Sequence, residues 1–357
     1  MHRFLLCLLI SLPLISLGQK LKPGFDAHEY AQLLQLPERN DSAANTYNGS
    51  DYKLLFTSPE VGLYNKWFLW MRKDGVAVIA IRGTIGKTES WLANFYAAMI
   101  PAKGTIEVDK NSRFDYQLAA DTAVSYVHAG WTVSLAAMAP SMVQKIKEVY
   151  QQGVKDIIII GHSQGGAIAF LARSYFEYNK DLPKDIRYKT YCSAAPKPGN
   201  LYYAYDFDYI TRGGWGFRVV NSEDWVPETP FSLQTLKDFN EVNAFMDIPG
   251  ALKKQKFFVR IYGKSVYNKL NRASTKSMKR FRRTLGKGVS TLVRKTLPDL
   301  KMPAYVYSNN YMTAGCPVIL MADDAYKEKF KFDGKNVFIN HLFEPYLYLL
   351  RKQYGIQ

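Results

Sequence analysis

The sequence predicts a large domain of the α/β class, built on a mostly parallel central sheet with helices on both faces. Segments with strand character and segments with helix character alternate along the chain, which is typical of this class. The four isoleucines that end "VKDIIII" form a continuous apolar, β-branched run, as parallel strands buried on both faces do. The chain has 357 residues, 47% hydrophobic and 22% charged, which is enough for a substantial core.

The elements follow from periodicity and turn signals. Before the isoleucine run, one helix, three strands and two helices are predicted, in the order "FDAHEYAQLLQL", "YKLLFTS", "LYNKWFLWMR", "GVAVIAIRG", "ESWLANFYAAM" and "HAGWTVSLAAMAPSMVQKIKEVYQQ". Asp74-Gly75 marks a hairpin turn between the second and third strands. After the run come a helix from Gln164, the strands "YKTYCSAA" and "GFRVVNS", and a last helix, "HLFEPYLYLLRKQ".

Residues 1–18, "MHRFLLCLLISLPLISLG", have the pattern of a secretory signal. A basic start precedes an apolar run, and Ser16-Leu17-Gly18 gives a small-x-small cleavage site before Gln19. The run is short and interrupted by Pro13, which favours a cleaved signal over an uncleaved anchor. We therefore expect export, to the periplasm or the extracellular space.

Residues 251–303 carry most of the net charge of +16 and form a basic insert in the α/β domain. They contain sixteen Lys or Arg and one acid, Asp299, so the rest of the mature chain, residues 19–250 and 304–357, is about neutral. Within the insert, "KFFVRIYG" has strand character. A following helix is predicted from apolar residues three or four apart, weakened by Gly286 and Gly288: Met278, Phe281, Leu285, Val289 and Leu292.

The cysteines exclude a disulfide-rich scaffold. Without the signal, only Cys192 and Cys316 remain, which could form one bridge or stay as two separately buried thiols. No Cys or His spacing suits a metal ion, so neither a metal nor an organic cofactor is expected.

A candidate nucleophile stands where the isoleucine run ends, in "GHSQGG". A serine in a sharp turn from strand to helix needs glycine-sized neighbours, which Gly161 and Gly165 supply to Ser163. The helix beginning at Gln164 directs free N–H groups at an oxygen that gains charge during attack. His162 cannot reach its neighbour's hydroxyl and is interpreted as packing behind the turn.

A serine nucleophile needs a base and an acid that orients it, in the chain order Ser, Asp or Glu, His. Only His341 follows Ser163. Asp224 stands just past the strand "GFRVVNS" and is the preferred acid. Four other acids remain open, although Glu223 should point away and the rest suit solvated loops: Glu223, Asp206, Asp208 and Asp333.

Six segments together resemble the fungal-type, class 3 lipases, which are secreted α/β-hydrolases that cleave fatty acyl esters: "VAVIAIRGT", "VHAGW", "IIIIGHSQGGAIAFLA", "CSAAPKPGN", "RVVNSEDWVPETP" and "NHLFEPYLYLL". The resemblance implies an α/β-hydrolase fold with Ser163 as nucleophile, Asp224 as orienting acid and His341 as general base. It also implies an oxyanion hole made by Thr84 and the backbone N–H of Gln164.

The sequence departs from that family in three places. Gln164 replaces a common leucine, which should alter the pocket more than the chemistry. Ser90 replaces an acid before Trp91. The basic insert lengthens the interval between Asp224 and His341. The insert could be a lid or a docking element for an anionic membrane, where each basic residue contributes about 1 kcal/mol. A solvated charged hairpin is the alternative, and nucleic-acid binding lacks a recognised motif.

These features predict a secreted serine esterase or lipase that works through an acyl-enzyme. A phospholipase and a polysaccharide or aryl esterase are alternatives within the enzyme class. Outside that class, the chain could be a catalytically inactive module that binds anionic lipid or glycan. Chain-length preference and oligomeric state cannot be read from the residues.

Overall fold

The computed structural model describes residues 20–36, 51–243, 245 and 247–356. The predicted signal segment lies outside the described residues. The strands are β1 (Tyr52–Thr57), β2 (Trp67–Arg72), β3 (Ala77–Ile81), β4 (Met99–Pro101), β5 (Lys103–Asp109), β6 (Ser112–Gln117), β7 (Tyr126–His128), β8 (Asp156–His162), β9 (Arg187–Ser193), β10 (Gly199–Asn200), β11 (Gly216–Asn221), β12 (Tyr311–Met312) and β13 (Cys316–Leu320).

The α-helices are α1 (Ala27–Leu33), α2 (Thr88–Phe95), α3 (Ala129–Gln151), α4 (Gln164–Tyr178), α5 (Leu201–Ile210), α6 (Ile248–Lys253), α7 (Phe257–Phe281), α8 (Val289–Thr296), α9 (Asp324–Lys329) and α10 (Phe343–Tyr354). A π-helical segment, Arg282–Gly288, joins α7 to α8. Among the described residues, no helix is both long and apolar enough to span a bilayer.

Within the described ranges, seven strands form the central sheet in the order β1-β2-β3-β8-β9-β11-β13. The first three strands pair antiparallel, and Gly75, at a φ of 83°, closes the predicted β2–β3 hairpin. From β3 to β13 every pairing is parallel. The mostly parallel sheet predicted from the sequence is therefore confirmed.

The core lies on both faces of this sheet, because successive side chains of a strand point to opposite sides. In β8, Ile157 and Ile159 pack in the larger apolar cluster with side chains of α3 and α4. Ile158 and Ile160 pack in the second cluster with side chains of α1 and α10. The isoleucine run is thus buried on both sides, as its continuous apolar character indicates.

One predicted element is wrong. The strand-like segment "KFFVRIYG" at residues 256–263 begins α7, a helix of 25 residues. Aromatic and β-branched residues favour strands only where a pleated surface receives them, and here Phe258 and Tyr262 are 82% and 74% exposed. Without a neighbouring strand, the chain forms a long helix, in which the cost of nucleation is spread over many residues.

The helix predicted after that segment is present as the end of α7, the π-helical segment and the start of α8, but its buried stripe changes phase. Met278 is buried as predicted, whereas Leu292 is 45% exposed and the adjacent Val293 is fully buried. The π-helical segment explains the difference, because a π turn holds an extra residue and rotates every later side chain about the axis.

The two cysteines form no bridge, and both carry free thiols. Cys192 is buried on β9, and burial raises the pKa of its thiol well above the usual value. Cys316 is exposed on β13, so the expectation of two buried thiols is right only for Cys192.

Candidate active site

Ser163 occupies a strained turn between β8 and α4, with a φ of 61° and a ψ of −128°. The neighbours of this turn tolerate only glycine. A Cβ on Gly161 would lie 2.2 Å from the carbonyl oxygen of Gly165, and a Cβ on Gly165 would lie 2.2 Å from that of Ile81. Such a conformation persists because the surrounding structure holds it, and it presents the serine hydroxyl beyond the end of the strand.

His341 and Asp224 meet at the same edge of the sheet. His341 Nδ1 lies 2.7 Å from Asp224 Oδ2, and the Tyr346 hydroxyl donates to the same oxygen at 2.8 Å. Asp224 Oδ1 accepts the Val226 N–H at 3.0 Å. The buried carboxylate thus has three donors, which offset the cost of removing it from water.

The second ring nitrogen of His341 faces no protein partner. Nε2 is buried and has no hydrogen-bond partner among the described residues, and His341 lines the same cavity as Ser163. With Nδ1 held by the carboxylate as a donor, Nε2 is the basic nitrogen. No hydrogen bond joins it to the serine here, and such bonds often tighten only when substrate binds.

The other acids considered from the sequence lie in structural contacts. Glu223 forms a partly exposed ion pair with Lys327 at 3.4 Å. Asp206 accepts a tyrosine hydroxyl of α4, and Asp208 accepts a glycine N–H before β13. Asp333 accepts two N–H groups of its own turn. None of these contacts involves His341.

Thr84 lines the cavity just past the end of β3, and Asn94 holds its side chain. Asn94 Oδ1 accepts from Trp131 Nε1 at 3.0 Å and from Gln164 Nε2 at 2.9 Å, which fixes the orientation of the amide. Asn94 Nδ2 therefore donates to Thr84 Oγ1 at 2.9 Å. Because Oγ1 accepts this bond, its own proton remains available to an oxygen in the cavity.

Gln164 lines the cavity, and its side chain is bonded to α2. Its backbone N–H belongs to the first turn of α4 and has no partner within the helix. Its side chain donates to the Ser90 carbonyl at 2.9 Å and accepts from Asn65 at 3.3 Å. The Gln164 side chain is thus held by oxygens of α2. That Gln164 alters the pocket more than the chemistry stays a prediction.

His162 packs behind the serine turn, as the sequence predicts. Its Nε2 donates to the His341 carbonyl at 2.7 Å, so Nδ1 accepts from the Ser193 hydroxyl at 2.9 Å. Tyr30 in turn donates to Ser193 at 2.6 Å. Burial, and then the nearby His341, lower the pKa of His162 well below 6.5, so this ring stays neutral and fixes the loop that carries His341.

Sequence reasoning missed Asn94 and Tyr346. Ser90 and Asn94 stand four residues apart on α2, and such a polar pair on one helix face was the available signal for Asn94. Nothing in the amphipathic pattern of α10 distinguishes Tyr346, whose hydroxyl is useful only because Asp224 lies beside it.

The cavity has a volume of about 820 Å³ and mostly apolar walls. Its large side chains come from α2 and from the loops after β11 and before α10: Trp91, Phe95, Trp225, Phe231, Phe338 and Leu342. A pocket of this size and character suits a hydrophobic ligand. The described residues include no cluster of His, Cys, Asp or Glu that could hold a metal ion.

Residues 78–234 match the family model for class 3 lipases. Over 102 residues the chain is 32% identical to the secreted mono- and diacylglycerol lipase A of Penicillium camembertii, covering 28% of this chain and 31% of that protein. Over 88 residues it is 39% identical to the secreted mono- and diacylglycerol lipase LIP4 of Malassezia restricta, covering 22% of this chain and 28% of that one. The matches thus span less than a third of these relatives.

Solved structures give weaker similarity. A Rhizomucor miehei lipase propeptide complex aligns with 18% identity and a TM-score of 0.42, covering 57% of this chain and 61% of that one. A triacylglycerol lipase from Penicillium expansum aligns with 16% identity and a TM-score of 0.39, covering 58% and 74%.

The matched residues include Thr84, Ser163 and Asp224. Residues 78–234, which carry this part of the site, are thus similar to the class 3 lipases.

Proposed function

We propose that this protein is a serine hydrolase that cleaves carboxylic esters of lipids through an acyl-enzyme. The observation that carries the proposal is the buried His341–Asp224 pair, at 2.7 Å, whose free Nε2 shares an apolar cavity with the strained Ser163. This combination offers a nucleophile, a base and an orienting acid in one place.

The chemistry follows from these groups. Ser163 Oγ attacks the ester carbonyl while its proton passes to His341 Nε2, and the Gln164 N–H and Thr84 donate to the oxyanion. Collapse of the intermediate breaks the bond to the alcohol, which leaves with the proton from His341. Water then adds to the acyl-enzyme by the same steps, and the fatty acid departs from Ser163.

The apolar walls favour acyl chains over polysaccharide esters. The relatives named as mono- and diacylglycerol lipases support glycerides as the substrate class. Phospholipids and aryl esters are alternative substrates, and an inactive surface-binding module is the alternative function. Because those relatives are named as secreted, we also propose export through residues 1–18. The sixteen Lys or Arg of residues 251–303 support contact of this segment with an anionic lipid surface.

Hydrolysis of p-nitrophenyl esters of graded chain length tests the proposal. We expect activity in the parent protein and a fall in kcat of at least about 10⁴-fold in Ser163→Ala, because the nucleophile is lost. Ser277→Ala, at an exposed serine of α7, is the control and should keep parental activity. A Ser163→Ala protein as active as its parent would refute the mechanism.

The same proteins are then assayed on dispersed diacylglycerol, phosphatidylcholine and a feruloyl ester. A preference for long-chain glycerides supports the proposed substrate class. A preference for the phospholipid or the aryl ester contradicts it while leaving the mechanism intact, and a parent inactive on every ester supports the binding module instead.

A further inference from the structure

The first half of α7 presents an apolar stripe to solvent. Phe258, Tyr262, Val266 and Leu270 follow one another at intervals of four residues and therefore lie along one side of the helix. Their exposed fractions are 82%, 74%, 38% and 68%. Soluble proteins seldom expose contiguous apolar surface of this kind without a partner for it.

The stripe lies in the most basic part of the chain. Residues 251–303 carry sixteen Lys or Arg and one acid. Five of these cations are on the same stretch of α7. By helical spacing, Lys269, Arg272 and Lys276 lie within or beside the stripe, whereas Arg260 and Lys264 lie on the opposite side of the helix. None of the five forms a salt bridge in the part of the chain that the structure describes, so their charge is uncompensated there.

The other end of the insert is fixed to the hydrolase body. At Gly286 the π-helical segment comes so close that an added Cβ would lie 3.0 Å from the Ala98 side chain and 3.0 Å from the Tyr305 ring. Tyr96 hydrogen-bonds Ser290 of α8 and lies 2.5 Å, hydroxyl to hydroxyl, from Tyr305. The insert is therefore held directly beyond α2, the helix whose Asn94 orients Thr84.

The insert also reaches the cavity. Leu285, in the π-helical segment, lines the same cavity as Ser163 and His341. Other lining residues leave large apolar surfaces exposed, with Phe95 at 55%, Phe231 at 82% and Leu342 at 50%. The basic helix and the exposed apolar residues of the cavity are thus connected through one segment.

We propose that α7 docks the enzyme on an anionic lipid surface, with its apolar stripe in the headgroup–acyl boundary and its Lys and Arg side chains on lipid phosphates. An apolar stripe among cations matches a surface that places negative charge above hydrocarbon. Through the segment at Leu285, docking directs the cavity toward the lipid. This inference deepens the proposed function and rests on it for its consequence, delivery of lipid esters to Ser163.

Two sets of substitutions test the docking, each with a matched control. The stripe variant carries Phe258→Ser, Tyr262→Ser and Leu270→Ser, and the charge variant carries Lys269→Gln, Arg272→Gln and Lys276→Gln. The controls change equally exposed residues elsewhere, Tyr205→Ser, Tyr209→Ser and Phe332→Ser for the first, and Lys110→Gln, Lys331→Gln and Lys335→Gln for the second. Thermal melts establish that each protein is folded.

Binding is measured by sedimentation with phosphatidylcholine vesicles, with and without phosphatidylglycerol, at low and high salt. We expect the parent and both controls to bind the phosphatidylglycerol vesicles in a salt-sensitive way, and both α7 variants to bind them about tenfold less well or worse. Parental binding by the α7 variants would overturn the proposal. A parent protein that does not bind these vesicles but binds DNA would also overturn it. The same holds if the stripe variant differs from the parent only in losing self-association on gel filtration.

Activity separates this inference from the proposed function. We expect the α7 variants to keep hydrolysis of soluble p-nitrophenyl butyrate within about twofold, and to lose about tenfold on diacylglycerol dispersed with phosphatidylglycerol. If the folded parent protein is inactive on the soluble ester, the proposed function is refuted, but the vesicle sedimentation assay still tests the docking. Equal activity of variants and parent on the dispersed lipid refutes the delivery of substrate by α7.

Discussion

At the scale of single residues, the amide of Asn94 joins parts of the site that lie far apart in the chain. Trp131 Nε1 can only donate, so it requires the oxygen of Asn94, and the Asn94 NH₂ group is left for Thr84. The His128 ring donates to the Asn94 carbonyl at 3.2 Å. Asn94 therefore acts as a positioning residue for the proposed oxyanion hole and touches no reacting atom.

Substitutions of Asn94 should lower kcat by predictable amounts. Asn94→Ala removes every side-chain contact with Thr84, and we expect kcat to fall by about 10- to 100-fold, less than the 10²–10³-fold cost of removing an oxyanion donor itself. Asn94→Asp keeps an acceptor for Trp131, but its carboxylate takes the Thr84 proton and places negative charge near the oxyanion, so it should recover none of that loss. Steady-state kinetics on a soluble ester measure both, and equal activity of Asn94→Ala and the parent would contradict this role.

At the scale of elements, the passage from β8 to α4 depends on close backbone contact. The Cβ of an alanine at position 161 would overlap backbone atoms of α4, which cannot move aside as a flexible side chain can. The helix would have to shift away from the strand, and with it the Ser163 turn and the Gln164 N–H.

Gly161→Ala should therefore cost stability and activity together. We expect a loss of at least about 1–3 kcal/mol in the free energy of unfolding, the usual cost of overpacking, and a severe loss of kcat. Gly288→Ala is the matched control, because its Cβ would lie 3.7 Å from the nearest atom, in ordinary contact. Urea unfolding and ester hydrolysis check both variants, and a fully stable, active Gly161→Ala protein would disprove the packing argument.

At the scale of the whole molecule, two buried histidines make the fold sensitive to acid. Burial lowers the pKa of His128 from 6.5 to about 3, and it also lowers that of His162. At a pH between the ordinary pKa of 6.5 and the lowered pKa, each ring is protonated in the unfolded chain and neutral in the folded protein. The resulting stability is complete above pH 6.5 for both rings, and for His128 it is lost as the pH falls from 6.5 toward 3.

The free energy of unfolding should fall by about 1.4 kcal/mol per pH unit for each such histidine below pH 6.5. His128→Gln should make this slope shallower by about that amount, whatever its effect on stability at neutral pH. His28→Gln, at an exposed histidine, is the control for the substitution itself. Urea titrations at several pH values measure the slopes, and the same slope in His128→Gln and the parent would rule out His128 as a source.

Much of the fold and of the candidate site could be predicted because the signals are local. Glycines on both sides of Ser163 indicate a strained turn wherever they occur, and the isoleucine run requires a strand buried on two faces. Chain order then leaves His341 as the base, since no other histidine follows the serine. These inferences need no knowledge of which side chains meet.

Only the tertiary structure decided the rest. Whether "KFFVRIYG" forms a strand depended on a neighbouring strand that the fold does not provide, and the phase of the stripe after Gly286 depended on a π turn. The support of Thr84 by Asn94 and of Asp224 by Tyr346 arises where separate elements converge. Hydrogen bonds between distant segments leave no periodic trace in a sequence, because each partner is an ordinary residue until packing brings the other within reach.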